Sequence, residues 1–408
     1  MPIDRRTFLT AGLGTGLAIR LENDVTGAEP IHETVPENLT KADLPTPALL
    51  VDLDLFEANL KTMADHCRRS GCGFRPHAKT HKCPEIAKRQ VASGALGVSV
   101  ATVPEAEAMV AAGIPGVLLT SPIVEPGKIA RMIELIRKGG QVLLAVGHPR
   151  QVETLAEAAE ADRVTADVLV DVDVGDGRTG SLPGQPALEL ARLIESKKSL
   201  HLRGVQAYAG LASHVVGFEA REKTSREVMA KAVETRELLA KAGFDVSILT
   251  GGSTGTYNID SRISGVTELQ VGSYVFMDVD YRRIGCKTDA QLYTDFHPSL
   301  TALTTVVSAT HPDRVSVDAG TKALDTTVPW KPEAKNWEGL TYNRGGDEFG
   351  ILSIESGARL PRIGDRIEFI VPHCDPSVNL YDRIYAVRGD KVEGIWPVVA
   401  RRLNTMPS

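Results

Sequence analysis

The chain has 408 residues, 42% of them hydrophobic and 24% charged, enough to bury a full core and to hold two domains. Its net charge of -6 speaks against general nucleic-acid binding, since a phosphate backbone demands a basic surface, and it directs attention to small molecules. Five cysteines, Cys67, Cys72, Cys83, Cys286 and Cys374, are odd in number and lack metal-finger spacing, so they read as reduced or buried thiols rather than a disulfide scaffold.

The N-terminus reads as a twin-arginine export signal: Arg5-Arg6-Thr7-Phe8-Leu9 is followed by a mildly apolar, Gly-rich run to Ile19 that is too short to span or anchor in a bilayer. The n-region is very short, Arg20 follows the run directly, and Thr26-Gly27-Ala28 is only a loose cleavage site. The alternative is an N-terminal extension with a chance arginine pair. A working leader makes the protein periplasmic; otherwise it is cytoplasmic. Residues 1–43 are therefore set aside as leader and linker, with the first domain over 44–275 and a second over 276–408.

From Pro47 onwards, short aliphatic or β-branched runs alternate with helical patterns. Residues 48–51 form a strand, and Asp54 with Glu57 three residues later marks a capping-box start for a helix that carries Phe56, Leu60, Met63 and Cys67 on one face; Gly71 ends it. Further strands are expected at 73–77, 97–100, 117–120, 142–146, 166–172, 202–208, 246–250 and 268–271. Helices are expected between them, among them 104–112, 126–138, 149–159, 186–196 and 218–242. Without the first strand this makes eight βα units, the pattern of a closed (β/α)8 TIM-type barrel, with chemistry expected at the C-terminal strand ends. An open doubly wound sheet is the alternative, but no G-x-G-x-x-G turn follows the first strand. After about Val275 the runs at 299–310, 314–318, 366–371 and 383–388 lack intervening helices and predict a mostly β domain, with which strand 48–51 is free to pair.

Arg75-Pro76-His77-Ala78-Lys79-Thr80-His81-Lys82 places lysines and histidines just past a strand. A solvated basic loop is the plain reading of such a run. Other polar strand ends are Asp173, Asp176 and Arg178, then Tyr208 and His214, then Gly251-Gly252-Ser253-Thr254-Gly255-Thr256, then Gly272-Ser273-Tyr274. The last two are Gly/Ser/Thr loops suited to a phosphate, in the barrel position that usually holds one. A phosphate loop and a lysine at strand ends of one barrel point to pyridoxal 5'-phosphate. Lys79 is favoured over Lys82, which is expected to face solvent. Arg75, His77 and His81, where charged, are expected to lower the lysine pKa. Arg178 is placed to face the pyridine ring, or else is a turn arginine paired to Asp176. His373 and Asp375 in Pro372-His373-Cys374-Asp375-Pro376 share one face of an extended segment, with Cys374 opposite; they suit a divalent ion, or are simply a solvent-exposed strand end.

Together, the segments 76–82, 171–180, 251–257 and 373–376 closely resemble the D-threonine aldolases and their relatives, over about residues 44–401 and in the same order. The resemblance implies an alanine-racemase-type fold, a pyridoxal-phosphate barrel followed by a β domain, and a homodimer. It implies Lys79 as the Schiff-base lysine and Arg178 and Tyr208 around the cofactor. Gly252, Ser253, Thr254, Gly255, Gly272, Ser273 and Tyr274 then hold the phosphate, His373 with Asp375 the metal, and His214 becomes a candidate base. Related D-serine dehydratases resemble His-x-Cys at the metal. This chain has His-x-Asp, and a carboxylate admits Mn²⁺ or Mg²⁺ as well as Zn²⁺. The expected reaction is retro-aldol cleavage of a D-3-hydroxy-amino acid to glycine and an aldehyde. The alternatives are a D-serine or 3-hydroxyaspartate dehydratase, and a non-catalytic pyridoxal-phosphate-binding protein.

Overall fold

A computed structural model describes residues 35–335 and 337–401; the Arg5-Arg6 pair and the apolar run behind it lie outside these. No helix among the described residues is long and apolar enough to cross a membrane.

Eight parallel strands form the first sheet: β2 (Gly73–Phe74), β3 (Ser99–Val100), β4 (Val117–Leu119), β5 (Val142–Val146), β6 (Ala166–Asp171), β7 (Leu200–Ala207), β8 (Ile248–Gly251) and β9 (Glu268–Leu269). β3 to β9 pair in sequence order, β9 pairs β2, and a parallel bridge between His77 and Ser99 closes the barrel. The segment expected as a strand over 73–77 is regular for only two residues, because Pro76 has no N–H to give to the ladder. Its carbonyl still accepts from Ser99 N at 2.8 Å. The strands are nearly continuous apolar runs, β5 being buried at every position, as a parallel sheet covered on both faces requires.

The remaining sheet contains β10 (Leu300–His311), β11 (Arg314–Val317), β12 (Glu333–Lys335), β13 (Leu340–Arg344), β14 (Gly350–Ile354), β15 (Arg366–Ile370), β16 (Arg383–Arg388) and β17 (Lys391–Pro397). Strand β1 (Ala48–Asp52) joins it, antiparallel to β10 and parallel to β16. The chain therefore lays one strand of this sheet before it builds the barrel.

The helix Leu53–Ser70 buries Phe56, Leu60, Met63 and Cys67 and stops at Gly71 in the left-handed region, φ 68°. Its N-cap differs from the expectation: Asp52, not Asp54, accepts from Leu55 N at 3.2 Å. The β region also contains two short helices that its strand-like pattern did not announce, Val279–Arg282 and Cys374–Val378, and both sit at the site.

Candidate active site

One cavity opens at the C-terminal ends of the barrel strands. It is lined by His77 and Lys79 after β2, Ala101 after β3, Thr120 after β4, Asp171 to Thr179 at β6, and Gln206 and Tyr208 at β7. It continues into a pocket that shares His77, Lys79, Tyr208 and Gln270 with it and is also lined by Ser253 and Thr254 after β8, by Gly272 and Ser273 after β9, and by His214, Tyr281 and His373. Lys79, Arg178, Tyr208, Ser253, Thr254, Gly272, Ser273, His214 and His373 are thus brought together. Tyr274 turns away: its ring is fully buried, its hydroxyl accepts from Gln90 at 3.2 Å, and only its backbone N–H reaches the loop after β8, at Thr254 Oγ1 (2.9 Å). Gly252 and Gly255 shape that loop from behind.

The basic cluster around Lys79 is neutralised pair by pair, which corrects two expectations. Arg75 makes a bidentate, buried pair with Glu268 (3.0 and 2.9 Å). Lys82 does not face solvent; it is 8% exposed, adopts φ 48°, and is ion-paired to the fully buried Glu105. Burial pushes His81 down to about 4 and His77 well below its usual range, so neither imidazole repels Lys79 at neutral pH. Burial would lower the Lys79 pKa too, but the charge and hydrogen bond of Asp375 outweigh it, and the ammonium form is favoured.

That Lys79–Asp375 ion pair ties the two ends of the motif set together. Asp375 reaches it otherwise than by strand alternation. His373 is extended (φ -141°, ψ 137°) and caps the one-turn helix that begins at Cys374, so the carboxylate swings round a helical turn while Cys374 is buried in the core. Burial works to raise the Asp375 carboxyl, yet the charges of Lys79 and His373 hold it well below the usual carboxylate range. Asp375 Oδ1 is buried without a hydrogen bond of good geometry, although the Thr80 hydroxyl stands close enough to lower its pKa.

Two carboxylates that the sequence reading passed over orient the histidines. Asp278 Oδ2 takes His373 Nδ1 at 2.9 Å and Cys374 N at 2.9 Å. Burial opposes the charged imidazole, but Asp278 and Asp375 push His373 up to about 9. Asp280 Oδ2 lies 3.1 Å from His214 Nδ1, while its Oδ1 accepts from Trp330 Nε1 at 2.7 Å. The His214 ring rests on Tyr281, with centroids 4.3 Å apart. The backbone of Val279 and Asp280 bonds to Val371 and Pro372 (3.1 Å each), which aligns this acidic pair with the His373 segment. An Asp-Val-Asp triplet just after the barrel was the available signal. Arg178 stacks on Tyr208 at 5.0 Å, and Asp176 is instead taken by the N–H groups of Gly210 and Leu211, at 2.9 Å each.

With this geometry in hand, comparison with known proteins is decisive. The family model "Alanine racemase, N-terminal domain" matches residues 51–280, and a serine dehydratase domain model matches 299–387. A D-threonine aldolase from an Arthrobacter species is 39% identical over 361 residues, covering 88% of this chain and 93% of that protein. The chain belongs to the D-threonine aldolase family. A 3-hydroxy-D-aspartate aldolase of Paracoccus denitrificans is 33% identical, with 89% and 94% coverage. The crystal structure of D-threonine aldolase from Filomicrobium marinum superposes with a TM-score of 0.85 at 37% identity, over 89% of this chain and 98% of that one.

The D-threonine aldolase family consists of pyridoxal-phosphate lyases, and the residues present fit that cofactor. Lys79 lines the cavity together with three hydroxyl residues, Ser253, Thr254 and Ser273. A Cβ at Gly272 would lie 2.6 Å from Thr80 Oγ1, so the glycine lets its loop pack directly against the segment that carries Lys79. A divalent ion has a smaller donor set to use. Asp278 engages His373 Nδ1 and leaves Nε2 to meet a cation once its proton is displaced, and Asp375 brings an unsatisfied oxygen. Among the described residues no cluster of three or more His, Cys, Asp or Glu completes a closed site. Water and substrate oxygens would have to fill the remaining positions, as at an open catalytic centre.

Proposed function

We propose that the protein is a pyridoxal-phosphate- and divalent-metal-dependent aldolase that cleaves D-3-hydroxy-amino acids, of the D-threonine type, to glycine and an aldehyde. The observation that supports the reading is the Lys79–Asp375 ion pair, in which a lysine of the cavity wall meets a carboxylate suited to a metal. Pyridoxal phosphate supplies an electron sink for the carbon left behind when Cα–Cβ breaks, and a bound cation acidifies the β-hydroxyl.

The chain's own residues do the rest. His373 and Asp375 place the hydroxyl-binding point beside Lys79. His214, with Nδ1 fixed by Asp280, turns Nε2 to the cavity and accepts the hydroxyl proton directly or through one water. Lys79 Nζ donates to Asp375 until the site is loaded, and it is the amine through which the cofactor is held. A dehydratase, the reading suggested by the serine dehydratase domain match, would need Cα rather than the hydroxyl deprotonated, with Lys79 as base.

Incubation of the loaded enzyme with D- and L-threonine, D-serine and D-3-hydroxyaspartate, assayed for glycine and for keto acid, tests this. Glycine from D-threonine and none from L-threonine is expected. Keto acid as the main product from any of them overturns the aldolase reading.

Asp278→Asn keeps the shape at His373 but removes the charge that orients it. Mn²⁺ affinity is expected to fall about 10- to 100-fold with the circular dichroism spectrum unchanged. Equal affinity would show that Asp278 serves only the fold.

A further inference from the structure

The helix Phe218–Lys241 starts just past His214, and its fourth residue carries a guanidinium turned wholly inward. Arg221 is 0% exposed. Its Nε donates to Gly255 O at 2.7 Å, Nη1 to Val215 O at 2.7 Å and Ile284 O at 3.0 Å, and Nη2 to Gly285 O at 2.7 Å. All four acceptors are neutral carbonyls. Asp295, whose charge reaches Arg221, is itself held by Tyr257 Oη at 3.0 Å and Asn258 Nδ2 at 3.3 Å. A buried cation left without a close counter-ion is costly unless the fold has a use for its field.

The carbonyls it holds show that use. In a planar trans peptide the C=O and N–H point in opposite directions. Tyr293 Oη donates to Thr254 O at 2.7 Å and Arg221 to Gly255 O, and neither of these buried side chains lines the cavity. Pinning Thr254 O outward turns the Gly255 N–H inward, and that N–H has no backbone partner among the described residues. Gly255 is also pressed against the loop that carries His214: a Cβ there would lie 2.1 Å from Ser213 O. Through Val215 O the same guanidinium holds that loop in place.

We propose that Arg221 is the positioning residue of the phosphate cradle. It fixes the Thr254–Gly255 peptide with its N–H toward the cavity, supplies from behind the positive charge that balances a phosphate dianion, and ties the His214 loop to the same point. This rests on the pyridoxal-phosphate reading above. Neither the lysine nor the metal ligands are involved, so cofactor affinity rather than turnover is the readout.

The test titrates apoprotein with pyridoxal 5'-phosphate and with pyridoxal, which lacks the phosphate, following the visible absorbance of the bound cofactor and the thermal midpoint. Arg221→Gln is expected to weaken pyridoxal phosphate about 100-fold, because a full charge facing a dianion across one loop is lost, and pyridoxal by no more than about 3-fold. Arg221→Lys keeps the charge but not the fork of donors and falls between, at about 10-fold. Equal weakening of both ligands, or undiminished pyridoxal-phosphate binding, overturns the proposal. If the arginine variants do not fold, Tyr293→Phe frees Thr254 O without touching a charge. A selective loss of about 5-fold for pyridoxal phosphate supports the proposal, and unchanged affinity refutes it. Wild-type protein that takes up neither ligand would instead refute the cofactor reading on which it stands.

Discussion

Lys79→Ala is expected to abolish turnover, by about 10⁴-fold or more, while the protein stays folded. The substitution removes the only lysine among the residues lining the cavity. It also leaves Asp375 without its partner. For a fully buried pair that would cost about 3–5 kcal/mol. Here 43% of the Lys79 side chain is exposed and solvent screens the pair, so about 1 kcal/mol or less is expected. The readouts are therefore separable: activity and borohydride-fixed cofactor disappear, and the thermal midpoint hardly moves. A variant that retained covalently fixed cofactor would move the assignment to another lysine. Lys82 is a poor substitute, since its ammonium is locked to Glu105 in the core.

His373→Ala and Asp375→Asn are expected to lose about 10³-fold in activity and the bound divalent ion with it, while keeping pyridoxal phosphate. Each removes one of the two protein donors proposed for the ion, and water cannot replace a fixed side-chain donor. The two variants part in stability. The His373 side chain bonds to Asp278, so its loss leaves that buried carboxylate with the N–H groups of Cys374 and Tyr281. Asp375→Asn takes away a charge already held by Lys79 and is the milder change. Metal analysis of purified protein beside the activity assay checks both, and full metal content with full activity in either variant contradicts the assignment.

The barrel was legible because each strand is an apolar run bounded by turn residues, and the helices between them keep a 3.6-residue period. That Lys79, Ser253 and Ser273 line one cavity was legible for a related reason: a parallel barrel gathers the side chains at its strand ends, and these can be counted along the sequence. What escaped was set by contacts across the chain. Asp278 meets His373 from 95 residues away, and Lys82 meets Glu105 from 23. The basic cluster looked like a repulsive site that would lower the Lys79 pKa. Glu268, Glu105 and Asp375 arrive from three other elements to pair its cations, and burial keeps its histidines neutral, so the shift runs the other way. The His-x-Asp motif was expected to align its two side chains by strand alternation. A strand would have aligned the two by alternation, whereas the protein uses a single helical turn that starts at Cys374.

Arg221 had no sequence signal at all. On a helix of alternating charge it reads as one more solvated arginine, and only its four carbonyl partners reveal that it faces inward.

The central claim is that one cavity joins the cofactor lysine to a metal and breaks Cα–Cβ. Product balance from D-threonine on chelated and Mn²⁺-restored enzyme, both carrying pyridoxal phosphate, tests it most directly. The account predicts glycine and acetaldehyde in equal amounts from the restored enzyme and almost none from the chelated one. Ammonia with 2-oxobutanoate, or a rate that chelation leaves unchanged, would contradict it.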